Sequence, residues 1–180
     1  MPNISPSQLR SVVTDIVERT PIVDIHTHLY SPAFGDLLLW GADELLTYHY
    51  LVAEMMRRSP IGYDEFRAFS TREKANHIWE HLYRLSSPIS EAARGVLTAL
   101  QTVGIDVSRA DPEEIRQQFK HWTVEEYVDL VFRKANIEFV VMTNDPFDSR
   151  ERALWEQNIP VDSRFRAALR IDPLLTDLSR

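Results

Sequence analysis

Two histidines spaced two residues apart end a short hydrophobic segment near the N-terminus. His26 and His28 close residues 22–29, which are apolar at alternate positions and are predicted to form a buried strand. Because alternate side chains of a strand share a face, the two imidazoles would emerge side by side and could bind one divalent ion. Asp24 would point the same way, where a carboxylate can orient a metal ligand by a hydrogen bond. The alternative is a pair of hydrogen-bonded histidines in the core.

The composition restricts the groups that such a site could use. The chain has 180 residues and no cysteine, so disulfides and thiolate ligands are excluded and any metal must be held by His and carboxylate side chains. Hydrophobic residues make up 44% of the chain and charged residues 26%, which is typical of a globular domain with a sizeable core.

The charge and hydropathy patterns exclude two classes of partner. The formal net charge is −7, whereas nucleic acids and anionic membranes are bound by basic surfaces. No stretch approaches the roughly 20 apolar residues that span a bilayer, and residues 1–10 lack the apolar segment of a signal peptide. We therefore expect no nucleic-acid partner, no membrane association and a cytoplasmic location, which the absence of cysteine also fits. A small anionic substrate stays compatible, since an arginine in a pocket can override the global charge.

The order of predicted elements indicates an α/β fold with a large insertion. A helix over 6–19 precedes the first strand, and two further strands, over 138–143 and 164–173, flank a helix at 149–157. Between the first two strands, helices are predicted over 42–57, 71–85, 89–103, 112–121 and 123–135. Strands separated by helices pair in parallel, and a crossover of about 110 residues far exceeds the dozen that a parallel connection needs.

The domain organisation follows from this insertion. Residues 1–29 carry the N-terminal helix and the first strand, residues 30–136 form a helical insertion or cap, and residues 137–180 carry the second and third strands. No internal repeat and no low-complexity linker separates them.

The His-x-His pair at the end of the first strand resembles the signature of the amidohydrolase superfamily, whose (β/α)-barrels hold one or two metals. The helical insertion that follows this strand resembles the uronate isomerase branch of that superfamily. Three further segments share this resemblance: Trp40 to Tyr50, Thr143 to Asp148, and Arg164 to Pro173. The resemblance implies the N-terminal part of a (β/α)8 TIM-type barrel, with about three parallel strands and a large helical insertion after the first.

The reaction that this resemblance implies is an aldose–ketose interconversion of hexuronates, of the type glucuronate to fructuronate or galacturonate to tagaturonate. It needs a divalent cation, with zinc favoured, and His26 and His28 match the first two metal ligands of the family. His49 and Tyr50 match positions on the insertion that have acid, base or substrate-orienting roles. The alternative for His49 and Tyr50 is that they border an apolar stripe of helix 42–57.

An arginine at the end of the third strand is a candidate for binding the substrate carboxylate. Arg170 offers the two-pronged donor geometry that matches a carboxylate. The alternative is an ion pair with a nearby acid such as Asp172.

Three predicted strands fall short of the eight strands and about 250 residues of a complete barrel. We therefore expect a fragment of a longer protein, a truncated product or one half of an assembly, with little or no isomerase activity on its own. Two other functions stay open: a metal-dependent hydrolase of the same superfamily and a non-enzymatic helical interaction module. A homo-oligomer is also left open.

Overall fold

The computed structural model, which describes residues 5–27, 29–108, 110–145 and 147–176, contains a parallel three-stranded sheet. The strands are β1 (Ile22–Thr27), β2 (Ile137–Asn144) and β3 (Phe165–Leu169), in the order β1-β2-β3. Both pairs are parallel, as a chain that returns through helices requires. The predicted α/β class with about three parallel strands is therefore confirmed.

The described residues also form ten α-helices. They are α1 (Pro6–Arg19), α2 (Ala42–Leu46), α3 (His49–Arg58), α4 (Tyr63–Ala68), α5 (Thr71–Trp79), α6 (Glu91–Thr102), α7 (Pro112–Phe119), α8 (Val124–Lys134), α9 (Ser149–Glu156) and α10 (Asp172–Thr176). Two short helical segments of other types cover Pro32–Leu38, as 3₁₀ turns, and Glu80–Arg84, as a π-helical turn that continues α5. Among the described residues, no helix combines the length and the apolar character that crossing a membrane requires.

The predicted helix over 42–57 is wrong in one respect, because it is divided into α2 and α3. Thr47 ends α2, and its hydroxyl donates to the carbonyl oxygen of Asp43 at 2.8 Å. Tyr48 then takes an extended conformation, with φ −54° and ψ 136°, before α3 begins at His49. His49 and Tyr50 therefore lie in the first turn of a helix and not near the middle of one.

The strand prediction for 22–29 is wrong about burial. Ile22 and Ile25 are 48% and 78% exposed, and β1 has no buried residue among those described. β1 is an edge strand that pairs with β2 alone, and α1 also contributes no buried residue. The predicted third strand is shorter than expected as well, since β3 ends at Leu169 and α10 begins at Asp172.

The chain divides into two compact units, residues 1–38 with 128–180 and residues 39–127. The sheet belongs to the first, which we call the strand unit, and helices α2 to α7 belong to the second, the helical unit. The strand unit has its own core, in which Phe34 and Phe132 pack with Val140 and Met142. The predicted insertion of 30–136 therefore extends past the helical unit at both ends, because its first and last residues pack with the sheet.

The helical unit is held by a separate apolar core. Leu46, Leu51, Met55 and Ile78 have no exposed surface, and helices α2, α3, α5, α6 and α7 all contribute to this cluster. Burying such side chains is the main source of stability for small helices, since helices of five to twelve residues are marginal in isolation.

The substitution Leu46→Ala is expected to destabilise the helical unit by about 2–5 kcal/mol, because it removes a fully buried side chain and leaves a cavity. Leu85→Ala is the matched control, since Leu85 is 67% exposed and should change stability very little. Urea unfolding followed by far-UV circular dichroism measures both variants, and equal midpoints would contradict the packing described here.

Candidate functional site

The carboxyl ends of the three parallel strands meet at one edge of the sheet, where α/β folds place their active sites. β1 ends at Thr27, β2 at Asn144 and β3 at Leu169. A bond across two strand ends supports this edge: the hydroxyl of Thr143 donates to the carbonyl oxygen of Thr27 at 3.3 Å. Arg170 is the first residue after β3, and its backbone N–H donates to the carbonyl oxygen of Asn144 at 2.9 Å.

His26 is the penultimate residue of β1, and its side chain is exposed. The pairing of β1 with β2 shifts here, because Asp24 pairs with Val140 whereas Thr27 pairs with Met142. From Asp24 to Thr27, β1 advances by three residues while β2 advances by two, which is a β-bulge in β1. Such bulges often change the direction of side chains beside active sites. The strict alternation from which the sequence prediction started is broken at this point. His28, the second predicted ligand, lies outside the described residues.

Asp24 makes a local contact with the same segment. Its Oδ1 accepts from the backbone N–H of His26 at 3.1 Å. This bond holds the backbone of His26 in the bulge. Asp24 thus orients the candidate ligand through a contact with its main chain.

A buried carboxylate lies behind the strand ends, on α9. Glu151 is 1% exposed, and its two oxygens accept four hydrogen bonds. Oε1 accepts from Nδ2 of Asn144 at 2.5 Å and from the indole N–H of Trp155 at 3.0 Å. Oε2 accepts from the hydroxyl of Tyr30 at 3.0 Å and from the backbone N–H of Asp145 at 2.9 Å. Glu151 is not among the candidates predicted from the sequence, because its only local signal is its place as an acid in the first turn of a helix.

Two partners of Glu151 are themselves partly or fully buried. The pKa of Tyr30 is raised to about 12, chiefly by burial and then by the hydrogen bond and the negative charge of Glu151. Asn144 is 3% exposed, and its Oδ1 is buried without a hydrogen-bond partner among the described residues. An unpaired buried carbonyl costs about 1–3 kcal/mol. The hydrogen bond from Nδ2 to Glu151 is therefore the contact that holds the side-chain amide of Asn144 in place.

Arg170 forms an ion pair with the carboxylate of Asp172. The Nε of Arg170 lies 3.2 Å from Oδ1 of Asp172 and its Nη2 lies 2.7 Å from Oδ2, so the contact is two-pronged. Asp172 thereby raises the pKa of Arg170, and Arg170 lowers that of Asp172. The ion pair expected as the alternative is therefore present. It uses the Nε–Nη2 edge of the guanidinium, and the Nη1–Nη2 edge is the one that a second carboxylate would use.

His49 and Tyr50 belong to the helical unit, at the start of α3. Both are exposed, Tyr50 at 59%, and neither belongs to the buried core of the helical unit. Their rings lie 4.2 Å apart between centroids, and Tyr48 contacts both, at 4.4 Å and 5.4 Å. The structure thus brings His49 and Tyr50 together as part of an exposed aromatic group.

The donor chemistry of the predicted metal ligands fits zinc, because neutral imidazole nitrogen is one of its preferred ligands. Within the described residues, which do not include His28, no group of three or more His, Asp or Glu side chains could hold an ion. His26 and His28 would therefore supply a pair of ligands, and a tetrahedral site needs further donors.

Comparison with solved structures shows the family to which the chain belongs. No protein-family model matches the chain, and no curated protein does. A solved structure of a uronate isomerase from Bacillus halodurans C-125 is 51% identical in sequence, with a TM-score of 0.94, over 99% of this chain. The chain covers 42% of the length of that structure. Half of the residues are shared along nearly the entire chain and the backbones superpose closely, so the chain belongs to the uronate isomerase family, as a partial chain.

Proposed function

We propose that this chain is part of a metal-dependent uronate isomerase that interconverts aldose and ketose hexuronates, of the glucuronate–fructuronate and galacturonate–tagaturonate types. The observation that carries the proposal is the 51% identity and the TM-score of 0.94 to a uronate isomerase. That structure is more than twice as long, since this chain covers 42% of it. We further propose that β1, β2 and β3 are strands of a (β/α)8 barrel that the complete protein forms.

His26 and His28 are the residues of this chain that would hold the metal. A divalent cation bound there would supply Lewis acidity at the oxygens of the sugar carbonyl and of its neighbouring hydroxyl. The exposed side chain of His26, on a bulge at the carboxyl end of β1, is consistent with ligation. Asp24 fixes the backbone of His26 and so limits the directions in which the imidazole can point.

The remaining candidate residues would bind the substrate and move protons. Isomerisation carries a proton between C2 and C1 of the sugar, and we assign this transfer to His49 and Tyr50, as acid, base or orienting groups. Arg170 would bind the substrate carboxylate through its Nη1–Nη2 edge while Asp172 holds the opposite edge. The similarity to an isomerase favours this chemistry over the hydrolase and over a non-enzymatic module.

The test is an isomerase assay on the full-length protein that carries this chain. With zinc present, glucuronate or galacturonate should be converted to the corresponding ketose, and removal of the metal by a chelator should abolish turnover reversibly. The 180-residue polypeptide should show little or no turnover even with zinc, because it supplies only two of the ligands. Absence of conversion of any hexuronate by the metal-loaded full-length protein would refute the proposal.

A further inference from the structure

One carboxylate connects all three strand ends at the candidate site. Glu151 accepts from Tyr30, which follows β1, and from Asn144 and Asp145, at the end of β2. The carbonyl oxygen of Asn144 in turn accepts from the backbone N–H of Arg170, which follows β3. The segment after each strand is therefore tied, directly or through one residue, to the same two oxygens.

The contacts of Glu151 indicate that its carboxylate orients neighbouring residues and does not serve packing alone. Glu151 is 1% exposed, and no ion pair of the described residues reaches it. Four hydrogen bonds, two on each oxygen, stabilise the charge, together with its place in the first turn of α9. A buried charge contributes little to stability compared with a well-packed apolar side chain, whereas hydrogen bonds fix the direction of each partner.

We propose that Glu151 is a positioning residue, whose buried carboxylate holds the carboxyl ends of β1, β2 and β3 in the arrangement that the reaction needs. This inference rests on the proposed isomerase function. Glu151 does not itself contact the substrate. It acts through Asn144 on the residue that carries the guanidinium for the substrate carboxylate, and through Tyr30 on the segment that follows β1.

Glutamine cannot replace this glutamate, although the two side chains have the same shape. Each carboxylate oxygen receives two donors, and the amide of glutamine has one oxygen and one NH₂ group. In either orientation the NH₂ group would face a backbone or side-chain N–H, which is Asp145 on one side and Asn144 or Trp155 on the other. The substitution Glu151→Gln therefore breaks the connection without creating a cavity.

The experiment compares variants of the full-length protein by kcat, KM and thermal midpoint, and by hydrogen exchange of peptides that contain Asp145 and Arg170. In Glu151→Gln, kcat should fall about tenfold or more, as is usual for a residue that orients active-site groups. KM should rise as well, because a displaced Arg170 would bind the substrate carboxylate less tightly. Exchange at Asp145 and Arg170 should be faster.

Two variants on α9 act as controls. Trp155→Phe removes a donor to the carboxylate of Glu151 that lies on α9 and leaves the donors at the strand ends in place. It should therefore lower the thermal midpoint but leave kcat and the exchange at Arg170 unchanged. Glu156→Gln, at an exposed carboxylate, should change none of these quantities. A lower midpoint with unchanged kcat in Glu151→Gln would overturn the proposal and leave Glu151 with a role in stability alone.

A further variant keeps the proposal testable if Glu151→Gln does not fold. Tyr30→Phe removes one donor but keeps the ring that packs on Phe34, at 5.3 Å between centroids. It should lower kcat in the same direction by a smaller factor, and unchanged kcat would contradict the proposal. Lack of isomerase activity in the wild-type protein would refute the proposed function instead. In that case, hydrogen exchange at Asp145 in Glu151→Gln or Tyr30→Phe still tests whether Glu151 holds the strand ends. Faster exchange than in the wild type supports that role, and unchanged exchange contradicts it.

Discussion

Replacing His26 by alanine in the full-length protein is expected to remove the bound divalent ion and to lower kcat/KM by about 10³-fold or more. An imidazole ligand contributes directly to metal affinity, and the chain offers only one other histidine, His28, next to it in the predicted site. Loss of the ion would remove the Lewis acid of the proposed isomerisation. Metal content measured by plasma mass spectrometry and kcat/KM measured with glucuronate test the two parts separately.

The matched control is His121→Ala, at an exposed histidine of the helical unit that has no proposed role. It should retain both metal and activity. Full metal content in His26→Ala would refute the assignment of His26 as a ligand, whatever the activity of the variant. Lost metal with retained activity would refute the proposed metal dependence and leave the family assignment untouched.

The parallel sheet and most helix boundaries were predictable because their signals are local. The strand β2 is a continuous apolar run, and α1, α7 and α9 begin where the sequence places a capping residue or a proline. At α7, for example, Asp111 accepts from the backbone N–H of Glu114 at 2.9 Å, as the sequence pattern indicates. Such contacts span three or four residues, so a single sequence contains all the information they require.

The features that were not predicted depend on contacts distant in the sequence. The bulge in β1 is defined only by its register against β2, more than 110 residues away. The exposure of Ile25 follows from the place of β1 at the edge of the sheet, whereas its residue type predicts burial. Glu151 is the opposite case, since an acid in the first turn of a helix is usually exposed, and here it is buried by partners from the loop after β1 and from β2.

The predicted site shows the same division. The strand pattern predicted His26 near the end of the first strand and Arg170 at the end of the third, and the structure has both residues at those strand ends. An ion pair with Asp172 was the alternative predicted for Arg170, and the structure contains this pair, at the turn into α10. The pairing changes what Arg170 can do, since one edge of its guanidinium is already occupied.

This pairing has a consequence for substrate binding. A hexuronate is an anion, and Asp172 is an anion that lies beside the group proposed to bind it. In the proposed complex, the guanidinium of Arg170 would separate the two negative charges, with its Nε–Nη2 edge on Asp172 and its other edge on the substrate. Without Arg170, the substrate carboxylate would lose its partner and would also face Asp172 directly, which is unfavourable for both reasons.

Arg170→Ala is therefore expected to lower kcat/KM for a hexuronate by about 10²-fold or more, mainly through KM. The double variant Arg170→Ala with Asp172→Asn should recover part of this loss, because it removes the repulsion but not the missing donor. Asp172→Asn alone should have a smaller effect, since it leaves the guanidinium in place but no longer holds its orientation. Steady-state kinetics of the four proteins give the coupling between the two residues. If the double variant is no better than Arg170→Ala, Asp172 does not act on the substrate through its charge. If Arg170→Ala binds the hexuronate as well as the wild type does, Arg170 is only the structural partner of Asp172.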